Sequence, residues 1–189
     1  AQKFEARGIR VFNPSALSRL ANDKQECYDF MAKNGIEIMP TRYCKPPFVK
    51  KSIDGHGGTG VKICTCESEY DEGFVCQKLA SDIGKDLRVW VLGGEIKVSI
   101  LRVSRSDFRS NYCLGGDALP YTLSDSETAL IKKIIALLEG DYYGIDFVFN
   151  KGKIVFNEIE DTVGARMVYD KTDIDIIKLY CEYIKNSLK

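Results

Sequence analysis

Ile145-Asp146-Phe147-Val148-Phe149, Asn150-Lys151-Gly152-Lys153 and Ile154-Val155-Phe156-Asn157-Glu158-Ile159-Glu160 together read as a β-hairpin, two β-rich runs joined by a polar turn. Residues two apart in a strand share a face, so Glu158 and Glu160 point the same way. With the turn at 150 to 153, Asp146 lies opposite the neighbourhood of Glu158, about 5 Å across the ladder. Carboxylates gathered at one end of a hairpin repel one another. Two readings of them stand on spacing alone. One is a solvated acidic strand end. The other is a set of oxygen ligands for magnesium, which takes one or two protein carboxylates and completes its shell with phosphate and water.

Upstream of this hairpin the pattern is mostly strands. Phe48 to Lys51, Val61 to Cys66, Phe74 to Leu79, Leu87 to Leu92 and Glu95 to Leu101 are candidates, with Gly93-Gly94 as a two-residue turn joining the last two. Ser124 with Glu127 opens a capped helix whose Leu130, Ile134, Leu137 and Leu138 recur at helical spacing. Asn22 with Gln25 predicts another cap, for a helix carrying Tyr28, Met31 and Ala32 and closed by Gly35. A terminal helix is expected from about Asp173, and Gly8 to Asn13 reads as a short strand ended at Pro14. Strand clusters between capped helices make the chain α+β.

Composition removes several function classes. Hydrophobic residues at 44% and charged residues at 29% of 189 are ordinary for a globular chain. Lys plus Arg (27) equals Asp plus Glu (27), so no net field draws the chain to nucleic acid or anionic lipid. The apolar runs are far too short to span a membrane, and no secretory leader is apparent, so the expected setting is cytoplasmic. The seven cysteines are scattered without zinc spacing and read as reduced core thiols. His56 is the only histidine, which disfavours Ser–His–Asp and Cys–His chemistry.

Two further stretches could carry chemistry. Gly55-His56-Gly57-Gly58-Thr59-Gly60 frees backbone N–H groups to converge on an anion. It is followed by the strand-like Val61 to Cys66, which fits neither a Walker A loop nor a dinucleotide fold. A plain hairpin tip and a phosphate cover both remain open, and Lys50 and Lys51 just before the loop favour the cover. Arg102 with Asp107-Phe108-Arg109-Ser110-Asn111, then Gly115-Gly116, supplies cations and a carboxamide suited to a polyphosphate or an acyl-phosphate transition state, or simply a solvated loop.

In order and approximate spacing, the chain resembles the ATP-grasp superfamily, in particular its RimK-like carboxylate–amine ligases. The matching stretches run from residue 22 to about 166. They are Asn22-Asp23-Lys24, Val49-Lys50-Lys51 with the glycine loop, Val75-Cys76-Gln77-Lys78-Leu79, Gly84-Lys85-Asp86-Leu87-Arg88, Asp107 to Asn111, Gly144-Ile145-Asp146 and Asn157-Glu158-Ile159-Glu160. The resemblance implies two α+β lobes with antiparallel sheets gripping ATP, the glycine hairpin acting as lid. Residues 1–21 would be a remnant of a mostly absent N-terminal α/β domain, 22–76 the small lobe and 77–189 the large lobe with the metal site. An abbreviated ligase or a fragment of a longer one is the corresponding expectation.

The resemblance also implies roles. Lys24 and Lys51 would reach the phosphates, helped by Gly57 and Gly58. Gln77, Lys78 and Leu79 would form the adenine hinge, and Asp86 would take the ribose hydroxyls. Arg109 and Asn111, with Arg102, would serve the phosphates or the acyl phosphate, while Asp146, Glu158 and Glu160 would hold magnesium or manganese. Lys78 stands where the family usually has Glu, and Glu160 where it usually has Asn. The implied reaction is activation of a carboxylate by ATP and attack by an amine, with amino-acid or peptide substrates. A non-catalytic ATP-binding module and a phosphotransferase are the alternatives. Arg166 is expected to meet a substrate carboxylate or phosphate. The Gly93-Gly94 edge or the terminal helix offers a surface for a homo-oligomer.

Overall fold

The structure, a computed structural model, describes residues 1–42, 45–55, 60–104 and 116–189. Three short helices open the chain: α1 (Gln2–Glu5), α2 (Ser15–Asn22) and α3 (Lys24–Lys33). Strands β1 (Phe48–Ser52), β2 (Lys62–Cys64) and β3 (Phe74–Lys78) form an antiparallel sheet in the order β2-β1-β3. Strands β4 (Lys85–Leu92), β5 (Glu95–Val103), β6 (Asp117–Pro120), β7 (Tyr142–Asn150) and β8 (Lys153–Glu160) form a second, ordered β6-β5-β4-β7-β8, again antiparallel. Helices α4 (Asp125–Ile135), α5 (Arg166–Lys171) and α6 (Ile176–Ser187) complete it. Among the described residues no helix is long and apolar enough to cross a membrane.

Alternation along β4 explains how the larger sheet is used. Leu87, Val89 and Val91 face a core shared with Tyr143, Ile145 and Phe147 of β7, Ile131 and Ile134 of α4, and Cys27, Tyr28 and Met31 of α3. The opposite parity is split. Trp90 and Leu92 join a second core with Met167 and Val168 of α5 and Ile176 of α6, whereas Asp86 and Arg88 line an open cleft. One face of one sheet is thus apolar where α5 and α6 pack on it and charged where it lines the cleft.

The β7–β8 register decides which residues enter the cleft. Pairing starts at Asn150↔Lys153 and reaches Phe147↔Phe156, but the next pair is Asp146↔Glu158, leaving Asn157 as an extra residue. Without this bulge, Glu158 would oppose Ile145 and turn into the core, because a one-residue slip exchanges the two faces. With it, Ile159 pairs with Ile145 in the core and Glu158 and Glu160 pair with Asp146 and Gly144 on the cleft side.

The Gly93-Gly94 turn forms as expected, both residues having positive φ (59° and 79°) and Leu92 pairing with Glu95. The Ser124–Glu127 capping box is present in both directions. Three expectations are corrected. Asp23, not Asn22, caps α3, its carboxylate accepting from Glu26 N–H at 2.8 Å. Asn22 instead ends α2, which buries Leu17 and Ala21 four residues apart. Residues 8–13 form no strand. They act as a strap on β7, where the Asn13 side chain donates to the Tyr142 and Asp161 carbonyls and accepts from Asp141 and Tyr142 N–H. Of the five described cysteines, all free, Cys27, Cys64 and Cys76 are core thiols, while Cys66 and Cys181 are exposed.

Candidate active site

Between the two sheets lies a cleft of about 640 Å³, within the usual range for small-molecule sites. The smaller sheet lends it Val49, Lys51 and Gln77, residues of one parity on β1 and β3. Its other parity, Phe48, Cys64 and Cys76, packs away from the cleft. The larger sheet lends Asp86, Arg88, Arg102, Asp146, Glu158 and Glu160, and α3 lends Lys24 at its first turn.

The larger wall is a chain of alternating charges. Arg88 holds Asp146 with two parallel bonds, Nε to Oδ1 at 2.7 Å and Nη2 to Oδ2 at 2.6 Å, and its Nη2 reaches Glu160 at 2.9 Å. Arg102 grips both oxygens of Asp86 and donates to Asp146 Oδ2 at 2.8 Å. Asp146 and Arg102 are each 4% exposed, so these are desolvated charges with charge-assisted bonds. Burial pushes the Asp146 carboxyl up, but Arg102 and Arg88 together outweigh it and hold the group down at about 2. Asp86 has one guanidinium where Asp146 has two, and there burial wins over Arg102, raising its carboxyl to about 6. Burial likewise raises Glu160 despite Arg88.

Across the cleft Lys24 Nζ pairs with Glu158 at 2.8 Å and also donates to the Gly55 carbonyl at the start of the glycine stretch. Lys51 Nζ donates to Tyr28 OH at 3.1 Å and Asn157 Oδ1 at 2.9 Å. Burial lowers the Lys51 ammonium to about 8, Glu158 offsetting part of the shift and Lys24 adding to it. Below pH 8 the buried charge therefore opposes folding. That penalty fades as pH rises from 8 toward 10.5, so this group's contribution to stability increases across the window. A phosphate facing Lys51 needs the charged form. Affinity of the metal-free protein for an anion such as pyrophosphate is expected to weaken above pH 8, by up to about tenfold per unit, and titration calorimetry from pH 7 to 9.5 reads it. In Lys51→Met the same profile should be flat.

The structure thus brings Lys24, Lys51, Gln77, Lys78, Leu79, Asp86, Arg102, Asp146, Glu158 and Glu160 to one cleft. Gly57, Gly58, Arg109 and Asn111 lie outside the described residues. Arg102, expected to serve the phosphates or the acyl phosphate, is buried in the wall, its Nε and Nη2 donating to Asp86 and Asp146. The carboxylates are not a bare repelling trio, since Asp146, Glu158 and Glu160 each have a cation. Among the described residues no group of three His, Cys, Asp or Glu forms a metal cluster. Sequence reading gave no site role to Arg88, although its place two residues after Asp86 puts it on the same face, nor to Tyr28 and Asn157.

The description of a RimK-like ATP-grasp domain matches residues 21–184. The chain belongs to the RimK-like ATP-grasp family. A Mycoplasma pneumoniae protein called an uncharacterized homologue of MG011 is 33% identical over 172 residues, 82% of this chain and 60% of that protein. A probable alpha-L-glutamate ligase of Sodalis glossinidius is 27% identical over 213 residues, 99% of this chain and 72% of that protein. This ATP-grasp chain therefore spans about 60 to 72% of the length of these relatives. Among solved structures, the ATP-grasp ligase PsnB with a minimal precursor superposes at a TM-score of 0.75 and 18% identity, covering 100% of this chain and 67% of PsnB. PsnB with a phosphomimetic precursor variant, Mg and ADP gives 0.74 at 16% identity, covering 100% and 66%. At these identities the likeness shows the ATP-grasp fold, two antiparallel sheets with helices around one cleft.

Proposed function

We propose that this cleft binds ATP with magnesium and joins a carboxylate to an amine through an acyl phosphate. The observation that carries the reading is the pair of buried lysines, Lys24 at 6% and Lys51 at 8% exposure, set opposite a wall of hard oxygen donors. Two nearby ammonium groups out of water repel, and a polyphosphate entering the cleft offsets that cost. For the base, among the described residues the buried Gln77 Nε2 has no hydrogen-bond partner and Leu79 N–H bonds to no backbone carbonyl, whereas Lys78 N–H is already bonded to Pro40 O. Those two donors suit a purine edge. Asp86 keeps free lone pairs for ribose hydroxyls beyond the bonds from Arg102.

Asp146, Glu158 and Glu160 are each held by a cation and not gathered into one cluster, but they fit magnesium by their chemistry, hard oxygen donors beside the lysines that would face phosphate, with no thiol or imidazole among the described lining residues. Glu158 and Glu160, 21% and 26% exposed, are the more accessible ligands, and Asp146 is held by both arginines. Magnesium supplies Lewis-acid stabilisation of phosphoryl oxygens when bound. The chain's part is positional. Lys24 and Lys51 orient the phosphates, and Arg109 and Asn111 take the acyl phosphate. A carboxylate oxygen attacks the γ-phosphorus and releases ADP. The amine nitrogen then attacks the acyl carbon, expelling phosphate and losing a proton. Residues 22–76 and 77–189 are the two lobes in this reading.

The relatives named as glutamate ligases suggest L-glutamate as one of the two substrates joined, with an amino acid or peptide as the other. Thermal denaturation with Mg, ATP and both tests the site. Binding at a hundred times Kd stabilises by about 2.7 kcal/mol, and the shift is expected chiefly with both present. Adding glutamate with members of a panel of amino acids and peptides should then release ADP and phosphate in equal amounts for the pair that is joined. Binding without any release identifies a non-catalytic module, and ADP without phosphate a phosphotransferase.

A further inference from the structure

Tyr28, Lys51 and Asn157 come from α3, β1 and β8 and close a ring of three hydrogen bonds. Lys51 Nζ donates to Tyr28 OH (3.1 Å) and Asn157 Oδ1 (2.9 Å), and Tyr28 OH donates to Asn157 Oδ1 (3.3 Å). An ammonium has three N–H groups. Two are used here, and among the described residues the third has no partner, leaving it for the cleft that Lys51 lines.

Both partners are built for this contact. Asn157 is the bulged residue of β8, the one place in the β7–β8 ladder where a side chain is re-aimed out of strand alternation. Tyr28 is 1% exposed and fixed edge-on to Phe156, ring centroids 6.3 Å apart. Burial holds its hydroxyl well above the usual phenol range, so it stays protonated and can donate to Asn157. The Lys51 ammonium also lies 5.6 Å from the Tyr28 ring centroid.

We propose that Tyr28 and Asn157 are positioning residues, a cradle that fixes the Lys51 ammonium so that its remaining N–H meets a nucleotide phosphate. The inference rests on the nucleotide reading above. Lysine is a flexible stem carrying a point charge, and most of its rotamers would place that charge elsewhere. The cradle removes this freedom before the ligand arrives, so its loss falls on phosphate binding and leaves the base alone.

Titration of ATP and of adenosine into the full chain without metal tests it, in wild type, Tyr28→Phe, Asn157→Leu and Asn157→Asp. Tyr28→Phe keeps the ring and its packing and removes only the hydroxyl. Tyr28→Phe and Asn157→Leu should each weaken ATP about tenfold, as loss of a hydrogen bond to a charged group does, and move adenosine by less than about twofold. Asn157→Asp keeps acceptor oxygens for Lys51 and Tyr28 but adds a negative charge beside the phosphates, so it should weaken metal-free ATP binding while moving adenosine by less than about twofold. Equal losses for ATP and adenosine would reduce both residues to packing and overturn the proposal, as would unchanged ATP affinity in both variants. Wild-type protein that binds adenosine but gains nothing from the phosphates overturns the cradle alone. Wild-type protein that binds neither overturns the nucleotide reading and the cradle with it.

Discussion

Asp146→Ala is expected to lower the unfolding free energy by about 3–5 kcal/mol, the cost of removing one member of a buried ion network. Asp146 is the shared partner of Arg88 and Arg102, taking two bonds from the first and one from the second. Removing it leaves Arg88 with Glu160 and Arg102 with Asp86, so two guanidiniums in a desolvated wall share fewer negative charges. A domain of ordinary stability has 5–15 kcal/mol in total, so the loss is a large fraction, on the order of 10 °C in melting temperature. The pH dependence gives a second signature. Because the folded-state carboxyl sits near 2, below its usual 3.8, its stabilisation is complete above about pH 4 and is lost as pH falls toward 2. The gap between wild type and variant should therefore narrow over that interval. Urea denaturation at pH 7 and at pH 3 reads both effects. A loss below about 1 kcal/mol at pH 7 would mean that the arginines find water, and the network would not be a structural wall.

This wall was only partly legible in the amino-acid sequence. The Gly93-Gly94 turn, the Ser124–Glu127 box and the strand runs between Phe48 and Leu101 are local signals, and the structure carries each of them, though not the strand expected at Gly8 to Asn13. The hairpin of Ile145 to Glu160 was equally plain, and so was the shared face of Glu158 and Glu160. What spacing could not supply is the bulge at Asn157, which depends on Phe156 and Ile159 both seeking the core with two residues between them. Helix α2 carried a readable signal in Leu17, Leu20 and Ala21, but Pro14 looked like the end of a strand rather than the residue before a helix. Counter-charges were the larger omission. Three acidic residues on one hairpin look repulsive only while Arg88, Arg102 and Lys24, from β4, β5 and α3, are left out. Pairings across such sequence distances are set by tertiary packing, and no local pattern encodes them.

The same counter-charges change what Glu158→Gln should do. Repulsion among bare carboxylates would make the neutral variant as stable as wild type or more so. Instead, Glu158 pairs at 2.8 Å with Lys24, whose side chain is only 6% exposed. The amide keeps an acceptor for Lys24 but not the charge, so a loss of about 1–3 kcal/mol is expected. Lys24→Met in the Glu158→Gln background should recover part of it, because the unpaired ammonium is then gone. Function should separate more sharply. Magnesium-dependent ADP release is expected to fall by at least about a hundredfold, since one hard anionic ligand is lost. Metal-free ATP should bind as well as to wild type or better, because a negative charge facing the phosphates has been removed and Lys24 is freed to meet them. The decisive quantity is thus the ratio of ATP affinities with and without magnesium, large in wild type and near one in the variant. A variant that keeps the full magnesium increment would remove Glu158 from the metal site, whatever its stability, and would leave it as the counter-ion of Lys24 alone.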